Sequence, residues 1–69
     1  MDTYTLNIAA CRVNAELTQQ ELADKLGVNK ATISNWESGK TEPSVTNLRK
    51  IGEICCFPFE RIRLSSDTI

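Results

Sequence analysis

With 69 residues, 41% of them apolar and 25% charged, the chain has the size of one small globular domain, and its composition excludes a disordered or fibrous protein. No apolar run approaches the roughly 18 residues of a membrane span, so no membrane partner is expected. The net charge of −1 speaks against a polyanion partner as a sum, yet residues 25–41 set Lys25, Lys30 and Lys40 against Glu37 alone.

The opening residues, MDTYTLN, lack the basic and apolar regions of a signal peptide, which implies a cytoplasmic protein. Tyr4, Ile8, Cys11 and Ala15 fall at helical spacing and predict a first helix starting near Thr3 or Thr5. Leu6, Ala9 and Val13 lie roughly opposite, so that helix is expected to be apolar on two sides. TQQE, from Thr18 to Glu21, has the form of a capping box: the Thr18 hydroxyl accepts from the Glu21 N–H and the Glu21 carboxylate reaches back. It opens a second helix that runs to Leu26 and ends at Gly27, a residue free to turn left-handed. Asn29 suits the cap of a third helix, which Gly39 terminates. Ser44, just after Pro43, caps a fourth running to about Cys55, and Pro58 suits the first position of a fifth through about Leu64. The last residues, SSDTI, read as a frayed tail, and no strand pattern, repeat or linker is visible. The expected fold is all-α: five short helices over residues 1–64, a tail at 65–69, and a helix-turn-helix formed by 18–26 and 29–38.

The third of these helices, set in the stretch NKATISNWESGK, is unlike either a surface or a core helix. On a wheel advancing about 100° per residue, Ile33 and Trp36 share one face, with Glu37 on its edge. Lys30, Ala31, Ser34, Asn35 and Ser38 fill the opposite face, which is small, polar and nearly uncharged. A carboxylate beside an apolar face loses solvation and needs a partner; Arg12, at the border of the first helix's stripe, is the candidate. The outer face suits close approach to a flat hydrogen-bonding surface, and the major groove of DNA is one. There Asn35 can bond adenine N6 and N7, Lys30 can reach guanine O6 and N7 or a phosphate, and the Ala31 methyl can touch that of thymine.

The stretch LTQQELADKLGVNKATISNWESGKTEPSVTNLRKI resembles the lambda-repressor-like, Cro/repressor (XRE) helix-turn-helix family. The likeness runs from about Tyr4 to Leu64 and rests on Arg12, LTQQELA at 17–23, Gly27, Ile33, WESGK at 36–40, Pro43, Leu48 and Ile51. It implies that the positions of Lys30, Ala31 and Asn35 face base edges and that Asn29 approaches a base; Ser34 shares their face. It implies phosphate contacts for Gln19, Ser38 and Lys40, with Thr18 adding one from the same helix end after its capping role. Gln19 is further implied to brace the start of the recognition helix, and Arg12 and Glu37 to form a buried ion pair that positions it. Family members generally bind as dimers to palindromic sites, and Phe59, with Glu60 and Arg63, is the candidate pairing patch. The chain departs from the family at Gly52, Cys55 and Cys56, where alanine, leucine, and glycine or asparagine are usual. Gly52 is expected to cost about 1 kcal/mol of helix stability relative to alanine.

Cys11, Cys55 and Cys56 read as small apolar residues, because a zinc site takes about four Cys or His ligands and the chain has no histidine. With no histidine, phosphate-cradling glycine loop or metal cluster, no enzyme, cofactor, metal or small-molecule ligand is expected. The expected function is a transcriptional regulator that binds double-stranded DNA as a homodimer. Repression by occupying an operator is favoured, because so short a chain leaves little room for a domain that recruits polymerase. The rival is a protein-interaction module on the same fold, such as an antitoxin subunit, gripping its partner through Leu6, Ala9 and Val13.

Overall fold

The computed structural model describes residues 6–64, and four α-helices make up most of it. A two-residue strand, β1 (Leu6–Asn7), leads into α1 (Ile8–Asn14), α2 (Gln19–Leu26), α3 (Lys30–Ser38) and α4 (Val45–Cys55). A single 3-10 turn, Phe59–Arg61, then returns the chain as β2 (Ile62–Arg63). β2 lies parallel to β1, with Leu6 opposite Ile62 and Asn7 opposite Arg63.

Among the described residues the five expected helices are therefore four, and both ends differ from expectation. α1 begins at Ile8 because Asn7 caps it: the Asn7 Oδ1 accepts the Ala10 N–H at 2.7 Å, and Leu6 and Asn7 are extended. Thr3, Tyr4 and Thr5 lie outside the described residues, as does the tail at 65–69. At the other end Pro58 opens one 3-10 turn and no α-helix. The segment is too short to repay helix nucleation, and β-branched Ile62 is buried by an extended backbone that sets it against Leu6.

All four α-helices stop in the same way. Glu16, Gly27, Gly39 and Cys56 take left-handed conformations, with φ of 62°, 74°, 83° and 55°. After each, the next amide reaches back to a carbonyl of the helix: Leu17 to Arg12 at 3.1 Å, Val28 to Ala23 at 3.0 Å, Lys40 to Asn35 at 2.9 Å and Phe57 to Gly52 at 2.9 Å. These bonds satisfy carbonyls that a bare helix end would leave unpaired.

The core joins all the elements. Leu22, Ile33, Ile51 and Cys11 are almost wholly inaccessible, with Ile8, Ala23, Leu26, Trp36 and Ile62 around them. The second apolar face expected for α1 is not a surface patch: Leu6 packs against the core, Ala9 is half-buried, and only Val13 stands out, 62% exposed. Phe57 and Phe59 partly cover the core from the C-terminal side. Gly52 is buried where the chain turns back, and a Cβ there would come within 2.7 Å of the Phe57 carbonyl oxygen. Its missing side chain is therefore a packing requirement, which corrects the expectation that alanine would serve better. Cys11 is buried, Cys55 half-buried and Cys56 exposed. Burial, seconded by Cys55, pushes the Cys11 thiol up to about 11. Burial also raises Cys55, with Cys56 adding to the rise and Arg12 opposing it. Among the described residues no helix is long and apolar enough to cross a membrane.

Candidate nucleic-acid interface

The helix-turn-helix is built from local signals that the structure satisfies one by one. The Thr18 hydroxyl accepts the Glu21 N–H at 3.1 Å and the Glu21 carboxylate accepts the Thr18 N–H at 2.8 Å, so both halves of the capping box form. α2 buries Leu22, Ala23 and Leu26, and Gly27 then turns the chain. Asn29 occupies the cap position of α3 with an extended backbone, but its side chain makes no capping bond. That outcome differs from a full cap and leaves the Asn29 amide, on an exposed residue, turned to no backbone partner.

What holds α3 in place is a cluster centred on Glu37. The Arg12 Nε donates to Glu37 Oε2 at 2.7 Å and its Nη2 donates to Oε1 at 3.3 Å, a two-point grip between α1 and α3. The Arg12 Nη1 also donates to the Leu17 carbonyl at 2.8 Å, tying in the loop that leads to α2. The Gln19 Nε2 donates to Glu37 Oε1 at 2.9 Å. The Arg12 and Glu37 side chains are only 16% and 10% exposed, so the charges are largely withdrawn from solvent and depend on one another.

Gln19 thus meets the last turn of α3, not its start as the resemblance implied. The sequence carried a signal for this inward turn: Gln19 precedes the buried Leu22 and Ala23 by three and four residues, so it shares their face. The Leu17 carbonyl had no such signal, because a backbone acceptor leaves no mark in the sequence.

On its other side α3 turns outward. Lys30, Ala31 and Ser34 are exposed and Asn35 is half-exposed, while Ile33 and Trp36 are buried beneath them. The side chains of Lys30, Ser34 and Asn35 make no hydrogen bond within the described residues. The Ser38 hydroxyl donates to the Asn35 carbonyl at 3.2 Å. Thr18, Ser38 and Lys40 are exposed at or beside helix ends, and Gln19 is half-buried. Among the described residues no three His, Cys, Asp or Glu side chains cluster as metal ligands would.

Comparison with known proteins agrees with this architecture. A family model described as helix-turn-helix matches residues 8–55, from the first residue of α1 to the last of α4. The chain belongs to the Cro/repressor-type (XRE) helix-turn-helix family. One family relative is the uncharacterized HTH-type transcriptional regulator YqaE of Bacillus subtilis (strain 168), 37% identical over 51 residues. That alignment covers 74% of this chain and 44% of the relative. Another is the HTH-type transcriptional activator BcrR of Enterococcus faecalis, 43% identical over 42 residues, which are 61% of this chain and 21% of that protein. The alignments therefore span less than half of either curated relative. No solved structure matches the chain.

Proposed function

We propose that this helix-turn-helix chain is the DNA-reading part of a transcriptional regulator and that it recognises a defined sequence by laying α3 in the major groove. The observation that carries the reading is the two-sided build of α3. One side is fixed by buried Ile33 and Trp36 and by the grip on Glu37; the other is small, exposed or half-exposed, and at Lys30, Ser34 and Asn35 makes no side-chain hydrogen bond among the described residues. The names of both relatives, a regulator and an activator of transcription, support the same reading.

Asn29, Lys30, Ala31, Ser34 and Asn35 meet base edges, Asn35 pairing with adenine and Lys30 with guanine or its phosphate. Thr18, Ser38 and Lys40 meet phosphates on either side. The protein works in the cytoplasm as a homodimer on a palindromic operator. The pairing surface is the patch around Phe59, where the Arg49 guanidinium carbon lies 5.0 Å from the ring centroid and Glu53 and Glu60 line the same cleft. Charges of both signs around one aromatic ring suit a two-fold contact of the patch with itself. Binding at a site that overlaps a promoter excludes polymerase, so repression needs nothing beyond this face.

Selection of binding sites from random-sequence duplexes, run with wild type and Asn35→Ala side by side, tests the reading. A palindromic consensus that loses definition in the variant is the expected result. A folded wild type that enriches no sequence would overturn it.

A further inference from the structure

We propose that Cys11 and Cys55 are a dithiol switch, which a hydroperoxide closes into a disulfide between α1 and the end of α4, and that closure lowers operator binding. The second half of this inference rests on the DNA-reading function proposed above. Cys11 lies near the middle of α1 and is almost wholly buried. Cys55 is the last residue of α4, half-buried, and packs against the same core. α1 and α4 pack on one another, and all three cysteines carry free thiols. Cys55 adds to the rise of the Cys11 thiol, and the Arg12 guanidinium acts on Cys55, so these side chains stand within reach of one another's charge.

Accessibility sets the order of the steps. The half-buried Cys55 sulfur takes one oxygen from the hydroperoxide, which leaves as an alcohol, and the thiol becomes a sulfenic acid. The Cys11 sulfur then attacks the Cys55 sulfur: the S–S bond forms, the S–O bond breaks, and water leaves with the Cys11 proton. Two electrons pass from the thiol pair to the peroxide, and a dithiol reductant returns them. Burial keeps the Cys11 thiol protonated near pH 7, so closure is slow and answers sustained oxidant. Cys56, exposed and outside the core, can oxidise without touching α1.

Closure reaches the DNA face through the residue beside Cys11. A sulfur–sulfur bond draws two side chains closer than packing does, so it pulls α1 toward the end of α4. Arg12 is the next residue of α1, and it bonds Glu37 of α3 and the Leu17 carbonyl ahead of α2. A shift at Cys11 is thereby carried into the seat of α3, where Asn35 and Lys30 must meet particular base edges.

The test treats wild type, Cys55→Leu and Cys56→Ser with hydrogen peroxide, digests each without reduction and maps the peptides by mass spectrometry. Each protein is also titrated against the selected operator before oxidation, after it, and after dithiothreitol. Wild type and Cys56→Ser should yield peptides linked through Cys11 and Cys55 and lose about tenfold in operator binding, which dithiothreitol restores. Cys55→Leu, which keeps an apolar side chain, should bind the operator with and without peroxide alike.

Oxidised wild type without that linkage, or with it and with unchanged operator binding, would overturn the proposal. A loss of binding that persists in Cys55→Leu or vanishes in Cys56→Ser would do the same. If Cys55→Leu fails to fold, the peptide map and the response of Cys56→Ser decide by themselves. A reduced wild type that prefers no sequence is a different result: it removes the DNA-reading function and the second half of this inference, while the peptide map still decides the first.

Discussion

Gly52 and Glu37 show how differently single residues can carry this fold. Glu37 works by what it holds, a guanidinium and an amide from two other helices. Gly52 works by what it lacks, since the Phe57 carbonyl passes where a Cβ would stand and the Phe57 N–H bonds back to the Gly52 carbonyl at 2.9 Å. Helix propensity alone gives Gly52→Ala a gain of about 1 kcal/mol. The clash with backbone, which cannot rotate away, reverses the sign, and we expect a loss of about 1–3 kcal/mol, read as a lower urea midpoint. Propensity reads position 52 from its neighbours along the chain, whereas the constraint comes from a segment that returns to it. For the same reason the grip of Arg12 on Glu37 was legible and that of Gln19 less so. A carboxylate on an apolar edge announces its need for a partner, but a glutamine at a helix start is ordinary on any surface.

The helix ends separate what local sequence reveals from what it hides. Thr18 with Glu21, Gly27, Gly39 and Ser44 each carry a local chemical mark, and each boundary lies within a residue or two of its expected place. Glu16 and Cys56 fill the same left-handed role as the two glycines with side chains that resist it, and nothing in their type announces that. The pairing of β1 with β2 was equally hidden, because two-residue strands have no period to read and their partners are far apart in the chain. A left-handed residue with a Cβ costs roughly 1–2 kcal/mol, part of which glycine regains by loosening the unfolded chain. Glu16→Gly should therefore stabilise the domain by about 0.5 kcal/mol and raise its Tm by about 2–4 °C. Glu16→Ala, which keeps the Cβ, should not; scanning calorimetry of the pair separates the backbone effect from loss of the carboxylate.

For the molecule as a whole, one core serves every element, so a proton lost from it is felt throughout. The Cys11 thiol titrates near 9 in an unfolded chain and at about 11 in the fold, because burial favours its neutral form. A folded value above the unfolded one means that this contribution is complete below about pH 9 and fades as pH climbs toward 11. Urea unfolding at pH 8 and pH 10.5 should show a loss on the order of 2 kcal/mol, reduced in Cys11→Ala, whose absolute stability is lower at both. The outward side of α3 stands apart from this shared economy of contacts. Lys30, Ala31, Ser34 and Asn35 hold up nothing: their side chains bond to no other described residue and lie outside the core. Mutation there is nearly invisible to folding, so under the proposed function selection acts on those positions through the DNA they would choose. On that proposal, a lineage built on this fold can drift from one operator to another without crossing an unstable intermediate, and a library randomised at these four sites would consist mostly of folded proteins.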